Sequence, residues 1–214
     1  MGHAILLGDS IFDNARYVPG GPAVVDQLRA HLPAGWRATL LAVDGSVASD
    51  VAAQLSRLPA DATHLLVSTG GNDALGSGAL VRDTGLSAAD GFIVLAEVWA
   101  DFRRDYRGML AAVRATGKPA AVCTVYDAIP GLSPAEAAGL AVFNDVIVRE
   151  ATAAGLPVLD LRRVCDRAAD YSDLSPIEPS RVGGNKIAAA LARLIARHDF
   201  ARGDAVVYGP AVGA

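Results

Sequence analysis

Hydrophobic residues along this chain gather in five short runs separated by amphipathic stretches. The runs are Ala4–Leu7, Ala38–Val43, His64–Ser68, Ala120–Val125 and Pro157–Leu161. Most are continuous rather than alternating, the pattern of parallel strands covered on both faces. Between them, apolar residues recur at helical spacing. Val24, Leu28, His31 and Leu32 make one stripe, and Val51, Leu55 and Leu58 another. Ala89–Thr116 reads as a long helix with Ile93, Ala96, Trp99, Tyr106, Leu110 and Val113 facing inward. Pro134–Ala154 reads as a helix with Ser133 as its cap and Gly155 past its end. Gly184–His198 closes the series, with Ile187, Leu191, Leu194 and Ile195 on one face. The alternation βαβαβαβαβα with right-handed crossovers predicts a three-layer α/β/α sandwich around a five-stranded parallel sheet. Neither a repeat nor a linker interrupts it, so a single domain over residues 1–214 is expected. The Gly-, Ala- and Val-rich stretch 201–214 is expected to be a loosely ordered tail.

Composition sharpens this picture by exclusion. With 214 residues and 52% of them hydrophobic, the chain can bury a core that needs neither metal nor disulfide. The mean hydropathy of +0.31 is dispersed: Ala4–Leu7 ends at Gly8-Asp9, and Phe92–Trp99 runs into Asp101, Arg103 and Arg104. No run approaches the roughly 18 apolar residues of a spanning helix, so no membrane partner is expected. A net charge of −4 without a basic cluster speaks against nucleic acid. Cys123 and Cys165 are too few for a cysteine-based zinc site, and Cys123, in an apolar run, reads as a buried free thiol. The N-terminal residues lack a basic region followed by a long apolar stretch, and Leu6 stands where a myristoylation pattern has Ser or Thr; a cytoplasmic location is expected. There is no G-x-G-x-x-G, no Walker loop, no H-E-x-x-H and no G-x-S-x-G. No cofactor and no metal is expected, and the oligomeric state stays open.

In a doubly wound sheet, ligands bind beyond the carboxyl ends of the strands. Those points are Gly8-Asp9-Ser10-Ile11, Asp44-Gly45-Ser46, Thr69-Gly70-Gly71-Asn72-Asp73, Tyr126-Asp127-Ala128-Ile129-Pro130, and the loop from Arg162 to Gly184. They are the most polar and Gly-rich points of the chain. Any one of them is an ordinary turn or helix cap. Three in order at successive strand ends are more specific. Ser10 at a strand-to-helix junction projects its hydroxyl into the crevice. Acyl transfer needs a nucleophile and donors aimed at the developing oxyanion, and these strand ends carry residues able to supply both. Asp13, Asn14, Arg16, Tyr17, Tyr126 and Asp127 are candidates to shape the pocket, and Leu75–Asp90 is a candidate lid.

Gly8-Asp9-Ser10, Gly45, Gly70-Gly71-Asn72-Asp73, and Pro179, Gly184 and Ile187-Ala188 together resemble the SGNH hydrolase superfamily, also called the GDSL esterase/lipase family. The resemblance covers essentially the whole chain. It implies a flavodoxin-like SGNH fold, ester hydrolysis of a small-molecule ester, Ser10 as nucleophile, and Ser10, Gly45 and Asn72 as the oxyanion hole.

One block departs from the pattern. The family's D-x-x-H, an aspartate orienting a histidine base, aligns with Ser175-Pro176-Ile177-Glu178. Ser175 takes the aspartate position and Glu178 the histidine position. His3 and His64 precede or open their strands, and His31 lies near the far end of the first helix. His198 is about 14 residues into the last helix, about 20 Å from its start. Glu178 is therefore the candidate base. A glutamate near its ordinary pKa of about 4.3 is a weak base at neutrality, and burial raises it. Two readings follow: a serine hydrolase with Glu178 as an unusual base, and a weakly active or non-catalytic binding protein that has kept the crevice and lost the histidine.

Overall fold

The computed structural model describes residues 1–78 and 85–210. Six strands form one sheet: β1 (His3–Gly8), β2 (Arg37–Leu40), β3 (His64–Ser68), β4 (Ala120–Cys123), β5 (Val158–Leu159) and β6 (Val207–Tyr208). Their order across the sheet is β2-β1-β3-β4-β5-β6, and every pairing is parallel. The helices are α1 (Val24–His31), α2 (Val51–Leu55), α3 (Gly71–Gly76), α4 (Ala88–Ala115), α5 (Pro134–Ala153) and α6 (Arg181–Arg197).

Alternate strand residues feed two cores. Ala4, Leu6, Leu66, Ala121, Cys123 and Leu159 face α1 and α6. Ile5, Leu7, Leu65, Val67, Val122 and Val158 face α2, α4 and α5. Both faces are apolar because both are covered, which is why the strands read as continuous runs. The three-layer sandwich follows directly. The chain leaves β1 toward β2 on one side and returns to place β3 on the other, so the strand order reverses between β1 and β3. A crevice opens at such a reversal, beyond the carboxyl ends of the strands.

Several expectations are corrected. The sheet has six strands, because Val207–Tyr208 from the expected loose tail pairs beside Val158–Leu159; residues 211–214 lie outside the described residues. The predicted strands run too long where the ladder breaks. After Leu40, the Leu41 and Ala42 N–H groups both donate to the Leu6 carbonyl, at 2.8 and 2.9 Å, so the chain bulges there. Val125 leaves the ladder to bond the Asn144 side chain. On α4, Tyr106, Leu110 and Val113 are buried as expected, but Ile93 is 58% exposed and Ala96 is also exposed. A helical stripe is buried only where another layer covers it. Ser10, expected at a strand-to-helix junction, follows β1 in a single turn in which the Phe12 and Asp13 N–H groups return to the Asp9 carbonyl. The candidate lid is partly helical, since Leu75 and Gly76 close α3 and residues 88–90 open α4; residues 79–84 lie outside the described residues.

Two helix ends match their sequence signals. Ser133 and Glu136 form a reciprocal capping box at α5, with Pro134 in the first turn. Gly155 follows α5 with φ +70°, a conformation glycine adopts without steric cost.

Candidate active site

β1 and β3 end alike. Gly8 and Gly70 both have φ +117°. At Gly8, a Cβ would stand 1.7 Å from the Ser68 carbonyl oxygen of the neighbouring strand, so no other residue fits. These glycines turn the chain sharply, and the next residues are Asp9-Ser10 and Gly71-Asn72. Gln54 of α2 fixes the first turn from outside: its side chain accepts from Gly8 N and donates to Gly8 O, both at 2.7 Å. The Asp9 carboxylate accepts the Ile11 N–H at 3.1 Å, which tightens the turn around Ser10.

A cavity of about 140 Å³ opens beside Ser10. Ser10, Asn72, Tyr126 and Glu178 contribute to its wall, and Leu95, Leu132, Leu140 and Phe143 make it mainly apolar. Ser10 and Glu178 are both buried, 7% and 3% exposed, although 168 positions separate them in the chain. Burial pushes the Glu178 carboxyl up to about 7, against a hydrogen bond with the Ser10 side chain that pulls it down; Asp44 and Asp13 add to the rise. Its Oε2 has no hydrogen-bond partner among the described residues. Burial likewise pushes Asp9 up to about 8; the Ile11 N–H opposes this and the charges of Glu178 and Asp73 reinforce it. Two carboxyls in one apolar cavity resist joint ionisation.

Loops after successive strands are tied together. Asn72 donates to the Ser46 carbonyl at 2.9 Å, and the Asp73 carboxylate accepts the Ala48 N–H at 3.1 Å. Burial raises Asp73 to about 6. Gly45 sits exposed at the tip of the loop after β2 with φ +85° and lies outside the cavity wall. Neither Ser10 N–H nor Gly45 N–H donates a hydrogen bond among the described residues.

The segment around Glu178 is a tight loop. Tyr171 and Pro179 form an antiparallel bridge, Ser172 N donates to Glu178 O at 2.8 Å, and Glu178 N donates to Ser175 O at 3.1 Å. Asn14 Nδ2 donates to Pro179 O at 3.1 Å while Asn14 Oδ1 accepts the Val24 N–H that opens α1. The Tyr126 hydroxyl donates to Ile177 O at 2.7 Å. Asp13 accepts the Asp44 N–H, and Asp44 in turn accepts from Arg16 and Tyr17, so these residues brace the loops beside the cavity.

None of the four histidines reaches this end of the sheet. His3 bonds Asp61 and Thr39, His31 bonds Asn185, and His198 bonds the Tyr208 hydroxyl. His64 lies between the Trp36 and Phe200 rings, tilted to the first and edge-on to the second. Among the described residues, no three His, Cys, Asp or Glu side chains converge as a metal site, and no helix is long and apolar enough to cross a membrane. Sequence reasoning missed two buried clamps, Gln54 and Asn144. The signal was there: each is a lone amide within an apolar stripe, and Asn144 holds both N and O of Val125 at 2.9 Å.

A family model described as the GDSL-like lipase/acylhydrolase family matches residues 6–183, from β1 to the first turn of α6. No curated protein matches the chain in sequence. Among solved structures, the lipase Lip_vut3 from a goat rumen metagenome is similar, with TM-score 0.72 and 20% identity over 90% of this chain and 97% of that one. The extracellular lipase of Streptomyces rimosus gives TM-score 0.68 and 18% identity over 90% and 99%. The esterase EstA of Pseudoalteromonas sp., in a structure inhibited by monoethylphosphonate, gives TM-score 0.60 and 12% identity over 88% and 93%. At these identities the likenesses speak for the fold. With the matched span containing Ser10, Gly45, Asn72 and Glu178, the chain belongs to the GDSL-like lipase/acylhydrolase (SGNH) family of ester hydrolases.

Proposed function

We propose that this protein is a serine esterase that uses Ser10 as nucleophile and Glu178 as general base. The observation that carries the reading is the placement of Ser10 and Glu178 together on the wall of one apolar cavity, with the carboxyl pushed up to about 7. A base of that pKa is substantially ionised near neutrality and still accepts a proton readily. Ser10 Oγ attacks the ester carbonyl carbon as its proton passes to Glu178. The tetrahedral intermediate places its oxyanion toward the Ser10 N–H and the second N–H of the Asn72 amide, whose first is held by Ser46, while Gly45 stands off the cavity wall on its exposed loop tip. Collapse expels the alcohol, which takes the proton from Glu178. Water then attacks acyl-Ser10, delivering its proton to Glu178, and Ser10 leaves with that proton to restore the start.

The cavity suggests the acyl group. A dry cavity of roughly 150 Å³ accommodates a six-carbon ring, so about 140 Å³ suits a short acyl chain. The second reading, a binding protein with little turnover, is favoured by the placement of all four histidines away from the cavity. A series of aryl esters from acetyl to palmitoyl separates the two. Hydrolysis peaking near four to six carbons is expected, with Ser10→Ala losing at least a thousandfold and Glu178→Gln about a hundredfold. An inert wild type, also unreactive toward a phosphonate ester, leaves the binding reading. Undiminished turnover in Ser10→Ala removes the nucleophile.

A further inference from the structure

Three consecutive carbonyls around Glu178 are each held from a different source. The Tyr126 hydroxyl takes Ile177 O, the Ser172 N–H takes Glu178 O, and the Asn14 amide takes Pro179 O. The carboxyl itself has only the Ser10 hydrogen bond, and Oε2 is buried without a partner among the described residues. Apart from Ser10, what fixes its direction is therefore its backbone.

The three ties are not equivalent. Ser172 belongs to the same loop and moves with it. Asn14 holds the far side, next to the start of α6. Tyr126 comes from the carboxyl end of β4 and is itself immobilised. It is 1% exposed, its ring meets Tyr171 edge-on at 5.1 Å, and the preceding residue is clamped at both N and O by Asn144. Burial pushes the phenol far above its ordinary range, so the hydroxyl remains a donor at any working pH.

We propose that Tyr126 is the positioning residue for the base: through the Ile177 carbonyl, its hydroxyl holds Glu178 against Ser10. This rests on the reading of Glu178 as the base. Misplacement of a reacting group by about 1 Å costs up to about a hundredfold in rate, and a hydroxyl lost from one of three ties costs part of that. The same ring forms part of the cavity wall, and phenylalanine keeps the ring.

The test is Tyr126→Phe, with kcat, KM and the pH profile of aryl-ester hydrolysis measured beside wild type and Glu178→Gln. The expected result is a kcat lowered about tenfold, a KM within twofold, and an acid limb displaced below its wild-type position near pH 7, because a loosened loop admits water to the carboxyl. The titratable groups facing Glu178 are Asp9 and Asp13 after β1, Tyr17 in the next turn, Asp44 after β2 and Tyr126 itself; the substitution alters none of their charges. Unchanged kcat and limb in a folded Tyr126→Phe, with Glu178→Gln impaired, overturn the positioning role alone. Glu178→Gln as active as wild type overturns the base and the positioning together. Should Tyr126→Phe lose its fold, 3,5-difluorotyrosine at position 126 decides, since it keeps the ring and the hydroxyl and changes only the strength of the donor to Ile177 O. A displaced kcat and acid limb support the proposal, and both unmoved overturn it.

Discussion

Ser10 and Glu178 meet on one cavity, yet the walls that carry them are held in different ways. The Ser10 wall is built from strand ends. Gly8 and Gly70, at and just past the ends of adjacent strands, share φ +117°, and the turns they begin bring Ser10 and Asn72 to the same cavity wall. The Glu178 wall belongs to no strand or helix. It is a loop tied down by a phenol, a side-chain amide and its own turn. Placement of Ser10, the proposed nucleophile, is thus a by-product of the sheet, with the cooperativity of a whole ladder behind it. Placement of Glu178, the proposed base, depends on a few bonds, each worth about 1 kcal/mol net and more if a buried carbonyl is left bare.

The largest break in this comparison comes from Gly8→Ala. The new Cβ meets the Ser68 carbonyl at 1.7 Å with φ in the left-handed region. The expected outcome is loss of the folded protein, seen as absence of a cooperative melting transition; a stable, active Gly8→Ala would show that the strand end tolerates what the geometry forbids. Next is Asp9→Asn, which probes the electrostatic strain that the Ser10 wall carries. Asp9 is raised to about 8 from 3.8, so the folded state holds this proton more tightly than the unfolded chain. Stability from that proton is present below about pH 4 and is lost as pH rises toward 8. Urea midpoints should show the variant gaining on wild type by a few kcal/mol at pH 8 and matching it at pH 4, since a tenfold difference in proton affinity is worth about 1.4 kcal/mol. An equal difference at both pH values would assign the change to packing instead. The smallest effect is expected from Ser175→Ala in the other wall. Ser175 contributes its backbone carbonyl to Glu178 N, and its side chain makes no hydrogen bond among the described residues. Melting and kcat/KM should stay within about 0.5 kcal/mol of wild type. A larger loss would mean that the hydroxyl takes part in holding the base.

Much of the Ser10 wall was legible in the sequence. Gly8-Asp9-Ser10 and Gly70-Gly71-Asn72 announce themselves because a tight turn at a strand end needs particular residues at fixed offsets. Glu178 emerged only because Ser175-x-x-Glu178 interrupted an expected pattern. What orients Glu178 was illegible. Tyr126, Asn14 and the carbonyls of Ile177 and Pro179 come from separate loops, and nothing in their local spacing links them. Ile93 failed for a related reason: a helix stripe states that a face is apolar, not that a layer exists to cover it. The sixth strand failed because two residues, Val207–Tyr208, carry too little pattern to stand out, and they pair only because β5 leaves an open edge.

By itself the sequence determined the local chemistry of this protein: parallel strands apolar on both faces, helices with caps, glycines where the backbone turns left-handed, and a serine at the end of the first strand. These follow from interactions within a few residues, which spacing records. Only the tertiary structure decided that a carboxyl 168 positions away closes on that serine, that burial raises it to about 7, and that a tyrosine from the loop after β4 bonds the backbone beside it. Desolvation and long-range hydrogen bonds depend on which surfaces the packed sheet excludes from water, and that exists only once the layers have come together.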